Sequence, residues 1–141
     1  MTWLTGTLMA GLSGLALLCA ATDVDPAAQK TADEWLALVD AAKYEESWSQ
    51  AHSLFKAQVT KAQWAAGAAD LVARLGKIKS RKLKDATATK TLPGAPAGDY
   101  TLFIYDSSYE NLPAAVDKLI TAKDKDDAWR VIGYFVNPAS Q

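Results

Sequence analysis

At Gly76 the hydrophobic repeat of this chain changes from the 3.6-residue period of a helix to the two-residue period of a strand. From Asp25 to Gly76 the periodic stretches are helical, and beyond Gly76 they are extended. A chain segregated in this way folds as α+β, with helices laid on one face of an antiparallel sheet. The same segregation excludes the alternation of strand and helix that builds a parallel, doubly wound sheet.

The helical half has three segments. Asp25-Pro26 is a helix start, because the Asp side chain can accept from the free amides of the first turn and Pro at the first helical position gives up no needed N–H. Trp35, Leu38, Val39 and Ala42 then recur at i, i+3, i+4 and i+7, which predicts an amphipathic helix of about four turns. After Lys43-Tyr44-Glu45-Glu46 the spacing restarts at Trp48, Ala51, His52 and Phe55, and a second, shorter helix is expected there. Thr60-Lys61-Ala62-Gln63 has the form of a capping box and opens a third helix, whose face is Trp64, Ala68, Leu71, Val72 and Leu75. Gly76 stands where a left-handed cap ends it.

The extended half reads as four strands. In Lys77 to Lys84, Ile78 and Leu83 are five apart, so a two-residue period cannot put both on one face without a bulge near Ser80 to Lys82. Leu92 to Gly98 is a Pro/Gly turn, and Asp99 to Tyr109, rich in Tyr, Phe, Ile and Thr, should be a central strand. Asn111-Leu112-Pro113 turns the chain, Ala114 to Ala122 is a further strand, Lys123 to Asp127 a charged hairpin, and Trp129 to Val136 the last strand. The expected fold is α+β: three N-terminal helices packed on a curved four-stranded antiparallel sheet. The Asp99 strand carries apolar residues on both sides, Tyr100, Leu102 and Ile104 against Thr101, Phe103 and Tyr105, so its second face also asks for a neighbour, a homodimer partner among them.

Ahead of the helices, Met1 to Ala21 hold no charged side chain, and Leu8 to Leu18 form an apolar run closed by Cys19-Ala20-Ala21. The run is shorter than the roughly 20 apolar residues of a spanning helix and ends in small residues, which reads as a signal peptide over 1–21 cleaved after Ala21. The mature part is then one domain, 22–141, exported to the periplasm or secreted. The alternatives are an uncleaved anchor, since Met1 to Thr7 carry no Lys or Arg, and processing at Cys19 as a lipid anchor.

Bulk charge and composition remove several functions. Fifteen Lys and Arg against sixteen Asp and Glu leave a net charge of -1, too balanced for a protein that coats nucleic acid. One Cys and one His give no disulfide framework, and no metal or cofactor site is expected. No nucleophile elbow and no Gly-rich phosphate loop is present.

Seven blocks in one order carry a resemblance: Trp35-Leu36-Ala37-Leu38-Val39-Asp40, Tyr44 with Ser47-Trp48, Phe55 with Val59, Gln63-Trp64, Leu75-Gly76 with Ser80-Arg81, Leu92-Pro93-Gly94, and Trp129-Arg130-Val131-Ile132-Gly133-Tyr134-Phe135. Over roughly residues 30 to 136 the chain resembles a bacterial family of small exported proteins known only as a domain of unknown function. The resemblance implies a cystatin-like or nuclear-transport-factor-2-like cone and no activity.

The candidate residues follow from chemistry. His52 could serve as a general base near neutral pH, with Asp40 or Asp99 orienting it, or could be a packed residue beside Trp48 and Phe55. Arg81 lies in the stretch Arg74 to Lys84, which has six basic residues and no acidic one, and its planar fork suits an anion better than Lys77, Lys79, Lys82 or Lys84. Among the aromatics, most are core, but Trp48, Tyr105 and Tyr134 are ligand-binding candidates, since a phenol on the inner face needs a polar partner. The reading that results is a non-enzymatic exported binding module, holding a small ligand in the concave face of the sheet or meeting a protein partner. The alternatives are a small pocket enzyme using His52 as base, and an envelope interaction or dimerisation module.

Overall fold

A computed structural model describes residues 23–140. The leader read over 1–21, its cleavage after Ala21 and the lipid anchor at Cys19 lie outside the described residues. The first helix, α1 (Pro26–Asp40), starts as its sequence demands, with the Asp25 carboxylate accepting from the Ala27 amide at 2.9 Å. It buries Ala28, Ala32, Trp35, Leu36 and Val39, and its run ends before Ala42, which takes a positive φ of 60° and turns the chain.

Four helices stand where three were expected. The segment around Trp48 to Phe55 is split into α2 (Tyr44–Ser49) and α3 (Ser53–Gln58), because His52 between them has extended backbone (φ -62°, ψ 149°) and caps α3 with its ring. The last helix, α4 (Lys61–Leu75), opens with both halves of the capping box, Gln63 N–H to the Thr60 hydroxyl at 3.1 Å and Thr60 N–H to the Gln63 side chain at 3.0 Å. Gly76 closes it at φ 75° and ψ -169°, a combination open essentially to glycine alone.

The sheet is an antiparallel meander of β1 (Ile78–Thr89), β2 (Tyr100–Tyr109), β3 (Leu112–Lys123) and β4 (Trp129–Pro138), in that spatial order. The turn between β2 and β3 is tighter than expected, only Glu110-Asn111, so Leu112 already belongs to β3. β1 is longer than its alternating stretch and carries two bulges, between Ile78 and Ser80 and between Leu83 and Asp85. The first lies just ahead of the position inferred from sequence and has the inferred effect: Ile78 pairs with Tyr109 and Leu83 with Tyr105, both on the helix side.

The core lies between α1 and the helix-facing side of the sheet, where Trp35, Leu36 and Val39 meet Phe103, Tyr105, Leu119 and Val131. Aromatic edges fix the fit, Trp35 standing 5.4 Å from Tyr134 and 5.6 Å from Trp64, centroid to centroid. The first helix is tied to the last strand by Trp129 Nε1, which donates to Asp25 at 2.9 Å, and by the Thr31 hydroxyl on the Trp129 carbonyl at 3.4 Å. On the opposite side of the sheet Leu102, Ile104 and Ile120 are half-buried and Phe135 is 55% exposed.

Candidate functional site

The residues singled out from sequence fall into three places. His52 is buried and fully engaged: Nδ1 accepts from the Leu54 amide at 3.0 Å, which leaves the proton on Nε2, 3.2 Å from the Lys123 carbonyl. Neither Asp40 nor Asp99 orients it, since Asp40 is bound to Arg81 and Asp99 to Lys90. The acid near His52 is Asp124, at 3.8 Å. Burial pushes the Asp124 carboxyl up, but the Ser53 hydroxyl and amide, at 2.8 and 3.0 Å, outweigh it and hold the group below the ordinary carboxylate range. This corner fastens α3 to the β3–β4 hairpin. Trp48 braces α2 in a similar way, donating from Nε1 to the Val59 carbonyl at 2.8 Å, with Lys56 and Lys61 over its ring.

Arg81 is the centre of the second place. Its first bulge turns β1 so that the guanidinium points under the helices, where Nη1 and Nη2 grip the two oxygens of Asp40 at 2.7 and 3.2 Å. Nε reaches Asp117 at 3.1 Å, and Nη2 also reaches the Tyr109 hydroxyl at 3.3 Å. Burial works against the Arg81 charge, but Asp40 beside it more than compensates and raises its basicity above the ordinary value. The fork proposed for an external anion is therefore filled by the protein's own carboxylate.

Asp117 gathers three donors on one oxygen. Tyr109 OH lies 2.6 Å from Oδ2, Arg81 Nε 3.1 Å and Tyr134 OH 3.3 Å, while Oδ1 is buried with no partner among the described residues. Burial first, then the Asp117 charge for Tyr134 and the hydrogen bond to Asp117 for Tyr109, raise both phenols above their ordinary value, so both remain protonated. Sequence reasoning missed Asp117 and Tyr109. Asp117 falls inside the strand expected over Ala114 to Ala122, and the one available signal was parity, since it keeps the phase of Ala115, Leu119 and Thr121 on the buried side.

Beside this cluster opens a cavity of about 520 Å³, walled by Val39 of α1, Leu71, Val72 and Leu75 of α4, and Ile78 of β1. Asp40, Tyr109 and Tyr134 form its polar end, and Lys77 and Glu110 stand at the exposed mouth. On the other side of Arg81 a second hollow of about 400 Å³ holds Tyr105 with Asp33, Gln29 and Leu83. Burial, then the Asp33 charge, push the Tyr105 phenol up to about 12. The structure thus brings Arg81 and Tyr134 together, puts Tyr105 behind them, and leaves His52 and Trp48 elsewhere.

Among the described residues no group of three His, Cys, Asp or Glu is placed to hold a metal ion, and no helix is long and apolar enough to cross a membrane. No curated protein matches the chain. Residues 31–134, which include the whole Arg81 cluster and every wall of the larger cavity, match the family described as protein of unknown function (DUF4019), and the chain belongs to that family.

Proposed function

We propose that this protein is a non-enzymatic binding module that holds a small, mostly apolar molecule in the cavity between α4 and the β1–β2 end of the sheet. One observation carries the reading: about 520 Å³ of space with apolar walls and a few convergent polar groups, the form that small-molecule sites take. Reaction chemistry finds less support. His52 spends both ring nitrogens on the backbone, and Arg81 spends its fork on Asp40, so neither is free to act on a bound molecule. The arrangement of helices over one face of a four-stranded sheet is consistent with a cystatin-like or nuclear-transport-factor-2-like cone. In this reading a leader ending at Ala21 delivers residues 22–141 outside the cytoplasm.

The test is a fluorescence titration with N-phenyl-1-naphthylamine, a neutral apolar probe. Saturable enhancement with one site per chain is expected, and Val72→Trp, which fills the cavity from α4, should abolish it while the circular dichroism stays native. A probe that stays dark with the native protein overturns the reading. For export, the intact mass of protein recovered from its host should place the first residue at Thr22; a retained leader, or a lipid on Cys19, overturns cleavage after Ala21.

A further inference from the structure

The polar end of the larger cavity presents hydrogen-bond acceptors and hardly any free donor. Tyr109 donates to Asp117 Oδ2 and its oxygen accepts from Arg81 Nη2 at 3.3 Å, while the Tyr134 hydroxyl lies 3.3 Å from both Asp117 Oδ2 and the Tyr109 oxygen, so its hydrogen is held inside the cluster and its own oxygen is left to face a guest. Arg81 commits four of its five N–H groups, Nε to Asp117, Nη1 and Nη2 to Asp40, and Nη2 again to Tyr109. Nearby backbone amides are also committed, Gly76 to the Val72 carbonyl, Glu110 to Lys77 and Asn111 to Leu75. The one conspicuous donor, the Lys77 ammonium, sits on an exposed residue at the mouth, opposite Glu110.

Charge points the same way. One guanidinium among two carboxylates leaves the Arg81, Asp40 and Asp117 cluster with one negative charge in excess. A carboxylate or phosphate entering here would meet oxygen lone pairs and a like charge. A neutral apolar guest would bury the Tyr134 oxygen unpaired, which costs free energy. A protonated amine supplies N–H donors and the missing positive charge together.

We infer that the ligand of this cavity is a cationic amphiphile, an apolar body ending in a protonated amine whose N–H groups donate to the Tyr134 and Asp40 oxygens. The assignment rests on the cavity being a binding site and goes beyond it by naming the chemical class.

Three guests with one tail separate the two claims. Decylamine, decanol and decanoate are titrated at pH 7 against the bound naphthylamine probe. Decylamine should displace it at about a tenfold lower concentration than decanol, as expected for replacing a neutral donor by a charged one beside a net negative cluster, and decanoate should be weakest. In Asp40→Asn, which neutralises the cluster, the amine-to-alcohol ratio should fall toward one; Asp117→Asn should act alike if it folds. Equal displacement by all three, a lead for decanoate, or an unchanged ratio in Asp40→Asn overturns the amine assignment and leaves the cavity standing. Absence of any probe binding overturns the cavity itself, and the amine with it.

Discussion

Arg81 and Asp40, 41 positions apart, face each other fork to fork, Nη1 and Nη2 at 2.7 and 3.2 Å from the two carboxylate oxygens. The pair fastens the end of α1 to β1, and it shares the guanidinium with the wholly buried Asp117. A shared group of this kind is costly to remove because the wholly buried Asp117 loses its counter-charge where water does not reach it, while the exposed Asp40 loses less.

Replacing Arg81 by Met should therefore destabilise the fold by about 3 kcal/mol or more, the order found when a buried pair loses one member. Lys in the same place keeps the charge but cannot grip two oxygens and reach Asp117 at once, so its loss should be intermediate. Urea unfolding of both variants checks this. Stability within 1 kcal/mol of native for Met would show that the pair contributes nothing, on the scale of exposed pairs.

Acid should weaken the hold on the β3–β4 hairpin. Asp124 is held below the ordinary range by the Ser53 donors against the opposing effect of burial, and Asp126 is lowered to about 2, chiefly by Arg130. Groups depressed in the folded state contribute stability that is complete above the unfolded value of about 3.9 and is lost as pH falls through the folded value. Urea midpoints should hence fall steeply from pH 4 to pH 2, and Asp124→Asn should flatten that limb while lowering the plateau above it. A limb of equal slope in the variant counts against the assignment.

His52 acts as the cap of α3. Ala there removes the acceptor for the Leu54 amide and should cost about 1 to 2 kcal/mol, whereas Asn, a good capping residue, should recover part of the loss. Probe affinity at the α4 cavity should be the same in native protein and in both variants. A folded His52→Asn protein with weakened probe binding would place His52 in the site after all.

Gly76 meets two constraints at once. Its φ of 75° and ψ of -169° strain any side chain, and a Cβ there would stand 2.7 Å from Cβ of Glu110. Gly76→Ala should lower stability by roughly 1 to 3 kcal/mol and distort the mouth of the cavity, which the thermal midpoint and the probe affinity report separately. An unshifted midpoint would mean that the α4–β1 corner relaxes freely.

What could be read in advance had short-range causes. The Asp25-Pro26 start, the Thr60–Gln63 box, the stop at Gly76 and the bulge between Ile78 and Leu83 each follow from residues within a turn or two of one another. The split of α2 from α3 was invisible because the cap is a histidine, a residue that reads as packing or chemistry sooner than as punctuation. The site was half legible. Arg81 and Tyr134 stood out as types that need partners, but the partners, Asp40, Asp117 and Tyr109, are brought in by strand register and helix packing across 17 to 41 positions. Asp117 in particular sits on a strand whose buried side alternates Ala, Asp, Leu and Thr, so hydrophobicity alone could not tell its inside from its outside.

The clasp between α1 and β4, Asp25 holding Trp129 and Trp35 meeting Tyr134, also sets an order of events. Neighbouring strands of the meander can zip up as they appear, yet α1 has no finished surface to rest on until a strand 104 positions further on has been made. During synthesis Trp64 can meet Trp35 early, but the β4 side of the α1 stripe is covered only once Val131 and Tyr134 have been made, a contact of long sequence separation of the kind that forms slowly.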